Sequence, residues 1–110
     1  MARNTLTKPA MAPKLIKSFV RRLSEDPSLG VVQVSVNRDY RWLTTLIDAK
    51  PFDFESDRPI FELQHEILRS WPEDEPVYGF RLVNLRELNS DGARQELLDD
   101  PEAEVLYQRP

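Results

Sequence analysis

An α+β fold, a small two-layer α/β sandwich with a mixed or antiparallel sheet, is what this 110-residue chain predicts. Three observations lead there. Two adjacent runs, VVQVSV at 31–36 and RWLTTLID at 41–48, are rich in β-branched and aromatic residues, and a short polar turn joins them. Apolar residues recur at helical spacing in two segments, 14–23 and 57–71. The nine prolines all fall outside the interiors of the elements drawn this way, or in their first turns.

Residues 1–13 hold two prolines and few large apolar groups, and are expected to form a flexible arm before a single domain at 14–110. Leu15, Ile16, Phe19, Val20 and Leu23 then mark one face of a helix that starts near Pro13, with Lys14, Lys17, Arg21 and Arg22 around it. SEDPSLG is a turn. The two β-branched runs follow, close enough to be antiparallel. On the second, Trp42, Thr44 and Leu46 share one face and Leu43, Thr45 and Ile47 the other, which predicts an interior strand. Pro51–Asp57 reads as a loop, with Asp57 as helix N-cap and Pro59 in the opening turn. Ile60, Phe61, Leu63, Ile67, Leu68 and Trp71 form the buried stripe of that helix, and PEDEP stops it. VYGFRLVNL at 77–85 predicts a third strand, with Val83 and Leu85 facing the core and Leu82 on the other face. Asn89 or Ser90 caps a short acidic helix to Leu98, and Val105–Tyr107 is expected as an edge strand.

One modest core is all that this length supports. The absence of cysteine excludes disulfides, thiol nucleophiles and thiolate metal sites, and fits a cytoplasmic protein. Neither a secretion signal nor a membrane span is legible, so no membrane partner is expected. The net charge of −4 is unevenly spread: residues 1–23 hold six basic and no acidic residues, the other 87 hold nine basic and nineteen acidic. A negative body opposes broad nucleic-acid binding, because the phosphate backbone rewards positive surface.

Asp53, Glu55 and Asp57 alternate, so an extended backbone would bring three carboxylates to one side, as a hard cation requires. With Asp39 and Asp48 they are the candidate metal ligands. The loop lacks the ligand order and glycine of a calcium loop, and Phe52 and Phe54 interleave its acids, which favours solvated carboxylates. His65 is the single histidine, on a helix flank. No serine has the glycine-flanked elbow of a nucleophile, and the three glycines form no phosphate cradle. Arg38, Tyr40 and Arg41, beside Trp42, combine charge with stacking surface. Together with Lys14, Lys17, Arg21 and Arg22, they are the candidate contacts for a partner or nucleic acid.

The stretches LIDAKPFDFESD, FELQHEILRSW, VYGFRLVNLREL, GARQELLDD and EVLYQRP, within residues 43–109, resemble the later part of the minimal nucleotidyltransferase domain family. VNLREL followed by EVLYQR is the closest echo. The resemblance implies Mg²⁺-dependent phosphoryl transfer, with Asp39, Asp48, Asp53 and Asp57 as conceivable ligands. The chain departs from the pattern at its catalytic points. The family's GS motif is missing from VVQVSVNRDY, Arg41 falls where a second metal-binding aspartate belongs, and Arg81 stands where the third carboxylate belongs. The resemblance therefore points to a degenerate, non-catalytic relative.

The function expected from these readings is a small non-enzymatic binding or regulatory protein, acting through protein–protein contacts or self-association and holding no cofactor. The basic helix and the acidic segment 96–104 offer complementary surfaces. Two other classes compete with it. One is the Mg²⁺-dependent nucleotidyltransferase, the other a nucleic-acid accessory protein using the basic N-terminal segment.

Overall fold

The computed structural model describes residues 12–48 and 54–110, with side chains from 13–48 and 57–110. Asp53 and the arm at 1–11 lie outside the described residues, as does the side chain of Glu55. Elements follow in the order α1 (Ala12–Ser24), β1 (Val31–Asn37), β2 (Trp42–Ile47), α2 (Phe54–Arg69), β3 (Gly79–Asn84), α3 (Asp91–Leu98) and β4 (Glu104–Gln108). Single turns of 3-10 helix at Pro27–Leu29 and Leu85–Glu87 join them.

The four strands form one mixed sheet in the order β3-β2-β1-β4. β1 pairs antiparallel with both β2 and β4, whereas β2 pairs parallel with β3. The parallel pair follows from the sequence between its strands: no tight turn can join parallel neighbours, and the long α2 segment supplies the crossover. β2 is interior, as its two apolar faces predict.

Register assigns every strand residue to a face. Val36 opposite Leu43 and Phe80, and Val34 opposite Thr45 and Leu82, look toward the helices. There Ile16, Phe19 and Leu23 of α1 meet Ile60, Leu63 and Ile67 of α2 in the main core, with Val34, Val36, Leu43 and Ile47 beneath them. Phe19 meets Phe80 edge-on at 5.2 Å, and Trp71 tilts against Tyr78 at 5.7 Å. The second face carries Gln33 opposite Leu46 and Val83, Ser35 opposite Thr44 and Arg81, and Asn37 opposite Trp42 and Gly79. Only part of this face is covered. Gln33 Nε2 donates to the Leu98 carbonyl at 3.1 Å, which places the end of α3 over one half of it.

Three expectations are corrected. α2 begins at Phe54, so Asp57 is buried inside its opening turns rather than at the N-cap, and Pro59 lies within the helix. Proline's fixed φ is itself helical, but past the first turn it removes one backbone hydrogen bond from the helix. Leu68 is exposed and Phe61 half-buried, because the stripe that meets the sheet is the narrower Ile60, Leu63, Ile67 and Trp71. Val83 lies outside the main core, while Leu82 packs against it, since the β2–β3 register turns Val83 to the second face; Leu85 is buried, as expected.

Candidate binding site on the open sheet face

The β1–β2 hairpin closes through Arg38–Arg41, between the paired residues Asn37 and Trp42. Asn37 Oδ1 accepts from the Tyr40 amide at 3.0 Å and tightens the turn. Arg41 completes it with φ 58°, a left-handed conformation that disfavours any residue with a Cβ. Its carbonyl accepts from the Gly79 amide at 2.7 Å, tying the hairpin to the start of β3. Tyr40 stands 70% exposed and Trp42 46% exposed at this end of the sheet.

Trp42 lies across Gly79. A Cβ at position 79 would come within 2.7 Å of Trp42 Cζ3 and 2.9 Å of Cε3. Glycine is thus what lets the indole rest on the neighbouring backbone. An isolated glycine in a strand pattern is the sequence signal for such an approach.

Beside this aromatic wall the uncovered face opens into a pocket of about 240 Å³. Ser35, Asn37 and Thr44 line it from the sheet, with Tyr40, Trp42 and Arg81 alongside. The segment that follows α3 supplies the rest, through Leu97, Asp100, Glu102 and Ala103. Arg81 Nε donates to Thr44 Oγ1 at 3.2 Å. Asp100 Oδ1 accepts from the Glu102 amide at 2.9 Å, which shapes the turn. Ser90 Oγ caps α3 by accepting from the Ala93 amide at 3.1 Å, and Arg94 anchors the same end by donating to the Leu85 and Leu88 carbonyls.

The residues singled out in the sequence are scattered. Asp39 lies in the hairpin turn before β2 and Asp48 after its end, so a six-residue strand separates them, roughly 17–20 Å of extended chain. Asp48 is held by Arg86 at 2.6 Å, with Arg109 at 4.0 Å. Asp57 is buried in α2. Among the described residues no group of three His, Cys, Asp or Glu is placed to hold a metal ion. Lys14, Lys17, Arg21 and Arg22 are exposed along α1, where Arg22 pairs with Glu66 at 2.7 Å. Arg38 leaves the aromatic group to bind Glu104 on β4, at 3.0 Å from Nε and 3.4 Å from Nη2. That hydrogen bond raises the Arg38 pKa above its ordinary value and lowers that of Glu104. Tyr40 remains in the lining of the pocket, and Arg41 follows it in the hairpin turn.

Two other hollows are less specific. A depression of about 610 Å³ between α1 and α2 is lined mainly by exposed charged residues, and the Arg22–Glu66 pair lies in it. A groove of about 260 Å³ between α1 and β4 is apolar except for Lys17 and Arg38.

Ser35, Thr44, Arg81, Asp100 and Glu102 carry no local motif. They meet only because β3 and β4 add to opposite sides of the hairpin. Among the described residues no helix is long and apolar enough to cross a membrane. No family model, curated protein or solved structure matches the chain.

Proposed function

We propose that the chain is a small non-enzymatic binding or regulatory protein that acts through protein–protein contacts made at the hairpin end of the open sheet face. The observation that carries this reading is the exposed Tyr40–Trp42 pair. Trp42 is fixed on Gly79 beside a strained turn residue, and backbone strain gathers where structure is committed to a function. Large aromatic groups at a polar-rimmed surface are the commonest anchors of protein contacts. Val105, in register with Ser35 on the same face, adds exposed apolar surface on the β4 side. A cytoplasmic setting goes with this reading, on the strength of the cysteine-free sequence.

Site-specific photo-crosslinking tests it. A benzoylphenylalanine at Tyr40 is expected to give one discrete protein adduct in cells expressing the full chain, whereas the same probe at Glu62, on the outer side of α2, gives none. The captured protein, once identified and purified, should bind the chain and lose affinity at least tenfold on Trp42→Ala, about 1.4 kcal/mol. Equal adducts at both positions would refute the reading. So would Mg²⁺-dependent binding of ATP or CTP that shifts the amides of Asp39 and Asp48, since that is the behaviour of the competing enzyme class.

A further inference from the structure

We infer that the 240 Å³ pocket receives the guanidinium group of an arginine presented by the partner protein. The inference rests on the proposed function and names what its site recognises.

Size comes first. Pockets for whole small ligands are typically about 300–1,000 Å³; this one matches a single long side chain rather than a nucleotide. Charge decides the sign of the guest. Asp100 and Glu102 face one cation, Arg81, which leaves the lining one charge negative. Among the described residues neither acid makes an ion pair, and the Arg81 Nε is already committed to Thr44 Oγ1. An anionic guest would reach Arg81 only against two carboxylates. A cation meets both of them and the face of Trp42 as well.

An unpartnered hydroxyl in the lining points the same way. Ser35 is only 5% exposed and lines the pocket, yet its side chain makes no hydrogen bond among the described residues. Its oxygen is an acceptor in the lining, as the carboxylates are.

The shape of the acceptor set favours arginine over lysine. A guanidinium has five donors in one plane, stacks on an aromatic face and is weakly hydrated, whereas an ammonium keeps its water and presents a point. Trp42, seated on Gly79, supplies the aromatic surface, and the acids with Ser35 supply the acceptors. Exposed Tyr40 on the hairpin and Val105 on β4 offer apolar surface for the residues that flank the arginine.

The test is a two-dimensional NMR titration of the full chain with N-acetyl-arginine methylamide, at constant ionic strength. The lysine, citrulline and glutamate analogues run in parallel. The expected result is a saturable shift of the Trp42 indole and the Ser35, Thr44 and 100–103 amides with arginine. Lysine should be at least tenfold weaker and citrulline silent. Glu102→Gln, an exposed change that leaves the turn hydrogen bonds intact, is expected to weaken arginine about tenfold, and Ser35→Ala about threefold, with spectra otherwise those of the folded protein. No saturable shift with arginine, equal responses to arginine and lysine, or the same signals moved by glutamate instead would overturn the inference. The crosslink at position 40 separates the two claims. An adduct that persists while arginine fails to bind removes the arginine and keeps the partner. Arginine binding with no adduct removes the partner.

Discussion

Thr45 gives the sharpest test of the packing. It lies on interior β2, 1% exposed, opposite Val34 and beside Leu82, on the face covered by α1 and α2. Its Oγ1 is buried with no hydrogen-bond partner among the described residues. Leaving such a hydroxyl unpaired in an apolar setting costs about 1–3 kcal/mol in proteins. Thr45→Val keeps the β-branch that a strand favours and replaces the hydroxyl with a methyl group, so a gain of about 1–2 kcal/mol is expected after allowing for the larger methyl. At about 2.1 cal/mol/K per residue, the unfolding entropy of 110 residues is about 0.23 kcal/mol/K, and Tm should rise by roughly 4–9 °C. Urea unfolding should show a higher midpoint with an unchanged slope. Thr44→Val is the control one residue away. It loses the acceptor of Arg81 on the opposite face and should destabilise by about 0.5–1.5 kcal/mol. A Thr45→Val protein no more stable than the parent, or both variants moving the same way, would refute the account.

Three further outcomes follow from the hairpin and the sheet edges. Arg41→Gly relieves the left-handed strain, worth about 1–2 kcal/mol, against about 0.5–1 kcal/mol of added unfolded-state freedom. Thermal unfolding should register a small net gain. Gly79→Val drives its side chain into Trp42, so the indole must leave its seat; the Trp42 Nε1–H resonance should move while that of buried Trp71, bonded to the Pro76 carbonyl, stays. Glu104, its pKa lowered by Arg38, contributes stability above the ordinary glutamate range, and this is lost as pH falls through the lowered value. The stability difference between the parent and Glu104→Gln should therefore shrink only in acid and close once both states are protonated, as urea midpoints measured against pH will show.

What the sequence discloses here is what is local. The apolar repeat of α1, the β-branched hairpin and the Ser90 cap each depend on residues within a turn or two, and each is found where the pattern puts it. The start of α2 is ambiguous in the sequence because Asp53 and Asp57 are equally good cap residues, and Pro59 two residues after Asp57 favours the later start. Leu68 shares the apolar side of α2 yet is exposed, because periodicity reports which residues share a side, not how wide the covering surface is. The pocket was invisible for a different reason. Ser35 and Arg81 stand one strand apart from Thr44 on either side, and nothing in either segment states that they will be neighbours. Gly79 was the one available hint, a glycine inside an otherwise regular strand. Asp48, a candidate metal ligand by sequence, is bound instead in ion pairs with Arg86 and Arg109.

β4 joins the sheet at its rim, paired with β1 across 75 residues of chain, as Gln33 opposite Gln108 shows. The turn at 99–103 that walls the pocket hangs directly from this strand. Edge strands open before the body of a domain unfolds, so the cavity and the strand share one opening equilibrium. Whatever occupies the cavity draws that equilibrium closed, and slower deuterium uptake should reach Arg109, whose amide bonds the Val32 carbonyl at 2.8 Å. The far end of the sheet thus serves as a remote gauge of occupancy.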